Sequence, residues 1–176
     1  AGWVMGDASL AMGNAMDAKK FIEMNARTYG DRNEEFLKIF PASNDEQAMR
    51  SQEKLGILNF AGYADHVWAL HNSSNSYIYQ FSYVPTDKPG FPNYGAFHTS
   101  EVPFALHTLK MWNRPWKEVD YQVEKTMSSY WINFVKTGNP NGKGLPEWKN
   151  HDKQNGYIME IKDIQVLHSG LYKNEL

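Results

Sequence analysis

Residues 76–84, Ser-Tyr-Ile-Tyr-Gln-Phe-Ser-Tyr-Val, place the tightest limit on what this chain can fold into. Successive side chains of an extended strand alternate between faces, so Tyr77, Tyr79, Phe81 and Tyr83 share one face, while Ile78 and Val84 lie on the other. A run that is apolar on both sides needs a packing layer above and below it, which is the situation of a buried strand in a sheet covered by helices. Pro85 lacks a backbone N–H and stops the run.

The covering helices are legible on either side. Asp17 is placed to cap a helix carrying Phe21, Ile22 and Met24, and Gly30 to end it. Residues 33–40 predict a second short helix, halted before Pro41. Asn44 or Asp45 then caps a long helix running to about His71, with Leu55, Leu58, Gly62, Tyr63 and Val67 near helical spacing, followed by a polar break at 72–75. Residues 86–99 read as a loop, interrupted by Pro89, Pro92, Gly90 and Gly95, and 101–109 as a short helical piece. The strongest helix spans 116–135: Val119, Val123, Met127, Tyr130 and Phe134 form a single stripe, with Gly138 and Pro140 as the stop. Residues 157–167 contain a final strand or hairpin.

This order predicts an α/β fold with few strands, about three, and several packed helices. So small a sheet would leave much apolar surface uncovered. The expectation is therefore an incomplete sheet whose other strands lie upstream, the whole chain forming part of one domain. The length of 176 residues agrees with one domain or a large piece of one. The start, Ala1-Gly2-Trp3-Val4-Met5-Gly6-Asp7, has neither an initiator Met nor the basic and apolar regions of a signal peptide, and reads as a cut beginning.

Composition narrows the chemistry. Eighteen basic against 20 acidic residues give a net charge of −2, which opposes a dedicated nucleic-acid binder with its basic stripe. Without Cys there are no disulfides, thiolate metal sites or thiol nucleophiles. No stretch approaches a membrane span. Aromatic residues reach 14%, enough either to fill a core or to line an organic-ligand site, and composition does not choose between the two.

No Gly-x-Ser-x-Gly elbow, phosphate loop, dinucleotide fingerprint or His-Glu-x-x-His occurs. Of the six histidines, His66 and His71 are five apart and do not share a helix face, so no metal site is expected. His98 differs, because it sits on a Pro/Gly loop that follows a strand, where a parallel-sheet hydrolase carries its general base. By position alone the better reading is an ordinary surface or loop histidine.

The segment Tyr94-Gly95-Ala96-Phe97-His98-Thr99-Ser100-Glu101-Val102-Pro103 resembles the histidine motif of type-B carboxylesterases and cholinesterases, Gly-Ala-x-His-x-x-Glu followed by an apolar residue and Pro. Trp131-Ile132-Asn133-Phe134-Val135-Lys136-Thr137-Gly138-Asn139-Pro140-Asn141 is similar to that family's Trp-x-x-Phe-x-x-Thr-Gly-x-Pro-Asn near the C-terminus. Trp148 follows where the family has Trp-Pro, with Lys149 in place of the Pro, and Tyr77-Ile78-Tyr79-Gln80-Phe81 matches the strand before the histidine loop. The likeness runs over essentially the whole chain.

The resemblance implies the C-terminal portion of an α/β-hydrolase with a Ser, acid, His triad in that order. His98 takes the base position. Asp7 falls at the acid position, with Gly6 replacing the family's Asp, Asp7 its Glu and Ala8 its Gly. Aspartate is one methylene shorter, so the backbone must approach His98 more closely. The alternative for Asp7 is a helix-capping or loop carboxylate. Glu101 is implied as a buried carboxylate supporting the site, or else as a helix N-terminal glutamate. The nucleophile and the Gly-Gly oxyanion loop would lie upstream, so the chain alone is expected to be inactive. Neither metal nor organic cofactor is implied, and the partner is a small-molecule ester. Uncovered sheet or apolar surface predicts possible dimerisation of such a piece.

Two rival readings stand beside this one. A cholinesterase-like domain without a working triad would serve in binding or adhesion. A carbohydrate module using Trp112 and Trp116 would need a β-sandwich, which the helices oppose. Asn72-Ser73-Ser74 forms a sequon best read as chance, and the ending Lys173-Asn174-Glu175-Leu176 is not a standard retention signal. Compartment stays open: the resemblance suits secretion or a periplasm, and nothing opposes the cytoplasm.

Overall fold

The computed structural model describes residues 1–7, 17–63, 75–152 and 154–170. The sequon, His66, His71, the far end of the long helix and the C-terminal tail lie outside the described residues. Two compact units emerge, one formed by residues 1–6 and 60–176, the other by residues 7–59.

The first unit is built on a four-stranded sheet: β1 (Gly2–Val4), β2 (Tyr79–Phe81), β3 (Ile158–Ile161) and β4 (Val166–His168), in that spatial order. β1 and β3 flank β2 in parallel, with Trp3 opposite Gln80 and Gln80 opposite Glu160, and β4 closes antiparallel on β3. The expected α/β class with a small open sheet and packed helices is therefore present. The terminal segment resolves into a hairpin, which makes four strands where about three were expected.

The run through β2 is buried on both faces as anticipated: Phe81 in the strand and Ile78 just before it are wholly enclosed, and Gln80 is buried. The β2 ladder is shorter than the sequence run. The N–H groups of both Ser82 and Tyr83 donate to the Ile161 carbonyl, at 2.9 and 3.2 Å. Two residues opposite one form a bulge that ends regular pairing. Val84, expected on the inner pattern, is 48% exposed beyond it.

Against the sheet packs the helix Glu118–Thr137. Val123, Met127 and Tyr130 of its stripe join Val4, Phe81, Phe104 and Met159 in the core. The stripe peels away at its end: Phe134 is 47% exposed and meets Tyr77 edge-on at 6.0 Å. Gly138 ends the helix in the left-handed region (φ 73°), where its N–H closes on the Phe134 carbonyl at 2.7 Å. The expected helical piece at 101–109 is split into a single turn at Val102–Ala105 and a 3-10 turn at Leu109–Met111, because His107 takes a positive φ of 56° between them.

The second unit holds the helices Ala18–Tyr29, Asn33–Ile39 and Asp45–Tyr63, the last of which continues into residues of the first unit. Asp17 caps the first by accepting the Lys20 N–H at 2.8 Å. Asn44 caps the third, its side chain accepting from Gln47 N–H at 2.9 Å, which settles the choice between Asn44 and Asp45. Phe36 stacks on Phe40 at a centroid distance of 4.9 Å and meets the tilted ring of Phe21 at 6.0 Å, forming this unit's own core.

The hairpin carries a pH-dependent contribution. Burial works against the charged form of Glu160, but hydrogen bonds from His168 (2.9 Å) and Lys162 (3.1 Å) prevail and hold its carboxyl below the usual glutamate range. A depressed folded value stabilises above the unfolded value and is lost as pH falls through the folded one. Glu160→Gln is therefore expected to flatten the loss of stability on acidification below the ordinary glutamate range, as read from urea midpoints measured against pH.

Candidate active site

β2 leads through its bulge into the loop that carries His98, and this loop is fastened at its start by a buried carboxylate. Asp120, in the first turn of the Glu118–Thr137 helix, is 0% exposed. It accepts the Tyr83 hydroxyl at 2.9 Å, the Thr86 N–H at 3.1 Å and hydroxyl at 2.5 Å, and the Lys117 N–H at 2.8 Å. Burial, reinforced by Asp120, pushes the Tyr83 phenol well above its ordinary value, so the hydroxyl stays a donor.

At the other end of the loop, Gly95 turns the chain with a φ of 64°. His98 follows, exposed, in a turn closed by the Ser100 N–H on the Phe97 carbonyl at 2.8 Å. Thr99 has a φ of 66°, a position β-branched residues rarely occupy. Strain of this kind persists only where surrounding contacts over-determine the backbone, and such positions cluster at functional sites. Glu101 is half-buried and stands at the N-terminal edge of the Val102–Ala105 turn, its carbonyl accepting the Ala105 N–H at 2.9 Å.

The end of β1 is drawn to this loop. Met5 N–H donates to the Phe81 carbonyl at 3.0 Å and Gly6 N–H to the Ala96 carbonyl at 2.7 Å. A Cβ on Gly6 would sit on the Ala96 carbonyl oxygen and 3.0 Å from the Phe97 Cα. Only glycine permits that approach. The requirement for glycine at position 6 is thus steric, and the sequence alone did not show it. Asp7, half-buried, is the next residue in the chain.

The other described histidines serve the scaffold. His151 is buried with Nδ1 2.8 Å from the Tyr157 carbonyl, His168 binds Glu160, and His107 Nδ1 lies 3.4 Å from the buried Glu124. Trp116 donates its indole N–H to the Leu109 carbonyl at 2.7 Å and abuts Phe104, so it is a packing residue. A sheet with parallel strands covered by helices also rules out the β-sandwich that the carbohydrate reading required.

The Carboxylesterase family model matches residues 14–176 of this chain. The chain belongs to the carboxylesterase family. His98 and Glu101 lie inside the matched span, and Asp7 precedes it. Human cocaine esterase is 34% identical over 85 residues, a match covering 47% of this chain and 15% of that protein. The pig liver carboxylesterase is likewise 34% identical over 86 residues, with the same coverage. Among solved structures, a PNB esterase superposes with a TM-score of 0.71 at 17% identity, covering 99% of this chain and 36% of that one, a likeness of fold. The chain thus spans little more than a third of the length of that esterase.

Sequence reasoning missed Asp120 and Glu124, which lie one turn apart on the Glu118–Thr137 helix and are both buried. Polar residues at helical spacing read as a solvated face; the signal available was only their i, i+4 line beside the apolar stripe. The family-like Thr-Gly-x-Pro-Asn segment turns out to be a brace. Asn141 accepts the Trp148 N–H at 2.7 Å and donates to the Trp148 carbonyl at 2.9 Å, and Trp148 reaches the Ile78 carbonyl on the approach to β2 at 3.2 Å.

Proposed function

We propose that this chain is the C-terminal portion of a type-B carboxylesterase that hydrolyses carboxylic esters through a Ser, His, Asp triad, and that it contributes the base His98 and the acid Asp7. The observation that carries the reading is the Gly6–Ala96 hydrogen bond, which pins the strand end preceding Asp7 against the loop preceding His98. Family membership supports the reaction class, and the strained Thr99 beside His98 supports a functional turn.

A serine from the upstream portion attacks the ester carbonyl. His98 takes the serine proton and passes it to the leaving alcohol as the acyl–oxygen bond breaks. Asp7 holds the imidazole tautomer and stabilises the imidazolium. Backbone N–H groups from the same upstream portion bind the oxyanion. Water then adds to the acyl-enzyme with His98 again as base, releasing the carboxylic acid and free serine. Glu101, at the near end of the following turn, helps to order this region.

Two assays test the reading. The 176-residue chain alone, lacking the nucleophile, should hydrolyse p-nitrophenyl esters no faster than background. In the full-length protein Asp7→Asn should lower kcat by about 10⁴-fold with little change in KM, the effect of losing the orienting acid of a triad. Turnover by the chain alone that depends on His98, or full activity in Asp7→Asn, would each overturn it. A full-length protein with no esterase activity would instead favour the adhesion reading.

A further inference from the structure

We propose that Arg114 is a positioning residue for His98, acting by tying both ends of the loop that presents it. This rests on the reading of His98 as the base, and it adds a residue to which no role has been given so far.

The loop begins at Thr86 and runs past Pro89, Gly90, Pro92 and Gly95 to Phe97. Its interior offers little internal restraint: the backbone bond from Phe91 N–H to Lys88 carbonyl and the side-chain bond from Gly95 N–H to Asn93 are both local. Its orientation must therefore be imposed from outside, and Arg114 touches it at both ends. One guanidinium nitrogen donates to the Thr86 carbonyl at 3.0 Å. The same guanidinium lies 5.8 Å from the centroid of the Phe97 ring and 5.3 Å from that of Trp116. A planar cation is suited to this double task, since it forms in-plane hydrogen bonds while its face meets aromatic rings.

The two ends of this link are themselves anchored. Thr86 is held by the buried Asp120 through its N–H and its hydroxyl. Trp116 is fixed by its indole bond to Leu109 and by its edge contact with Phe104 at 5.9 Å. Arg114 thus transmits the position of the long helix and the core to Phe97, whose neighbour is His98. The strained Thr99 on the far side of His98 needs such over-determination to hold its φ.

The test uses Arg114→Ala and Arg114→Lys in the full-length protein, with p-nitrophenyl ester kinetics and the rate at which diethyl pyrocarbonate modifies each histidine, resolved by peptide mass spectrometry. Arg114→Ala should lower kcat by on the order of tenfold with KM about unchanged, because a base displaced by a fraction of an ångström loses its alignment with the nucleophile. His98 should change its modification rate relative to His151 and His168, and Arg114→Lys should recover part of both effects. A kcat within about twofold of the parent, with His98 labelled as before, would overturn the proposal. So would losses that merely track unfolding, with all histidines labelled faster in step. Where Arg114→Ala does not fold, Arg114→Gln keeps a donor for Thr86 but removes the cation from Phe97, and carries the same test. If His98→Ala retains esterase activity, the reading of His98 as base fails, while the labelling still decides whether Arg114 positions it.

Discussion

Replacing His98 by alanine in the full-length protein is expected to lower kcat for ester hydrolysis by at least about 10⁴-fold while KM changes little. On the proposed mechanism the imidazole acts in both half-reactions, taking the serine proton and later activating water, so no second group compensates for its loss. Binding of the ester does not depend on proton transfer, which is why KM is spared. The fold should be spared as well: His98 is exposed in a turn whose backbone is closed by Phe97 and Ser100. His168→Ala is the matching control. It removes the hydrogen bond to Glu160 in the hairpin and should cost stability without the kinetic loss. Steady-state kinetics on the two variants separate these outcomes, and a His98→Ala protein with more than about a hundredth of the parent kcat would contradict the assignment.

The largest effect on stability is expected at Trp148. Its side chain is buried, and its ring meets Tyr79, Tyr130 and Trp131 at centroid distances of 6.3, 5.2 and 6.0 Å. Its indole N–H donates to the Ile78 carbonyl and its backbone is clamped by Asn141, so one residue joins the end of the long helix to the sheet. Trp148→Ala removes the ring and leaves a cavity, at a cost of about 3–5 kcal/mol. Trp148→Phe keeps most of the ring and loses the hydrogen bond, at a cost nearer 1–3 kcal/mol. Urea midpoints of the two variants against the parent measure the difference, and equal midpoints for Ala and Phe would show that the cavity carries none of the effect.

The parts of this fold that local chemistry dictates were legible. Asp17, Gly30 and Gly138 mark helix ends through groups within four residues of themselves. The two-faced strand announced a covered sheet because alternation is intrinsic to extended chain. What could not be read depends on partners far away in sequence. Asp120 is buried because Tyr83 and Thr86, 37 and 34 residues distant, satisfy it. The shortened β2 follows from the Ile161 carbonyl capturing two N–H groups. Phe134 fitted the apolar stripe by spacing, but it stays half-exposed and meets the sheet side through the edge of Tyr77.

The candidate site divides along the same line. His98 stood out through its motif, since loop position alone favoured an ordinary histidine. Gly6 was visible only as a departure from the family pattern, and its meaning waited on the Ala96 carbonyl that fills the space of its Cβ. Arg114 carried no sequence signal at all, since a single arginine before Pro115 has no pattern to betray a contact with both Thr86 and Phe97.

The most direct measurement is the distance between the Asp7 carboxylate and the ring nitrogens of His98 in a crystal structure of the full-length protein. An oxygen within about 2.6–3.2 Å of Nδ1 is the expected result and would establish the acid–base pair. A closest approach beyond about 4 Å, with another carboxylate against the imidazole, would contradict it and move the acid elsewhere in the chain.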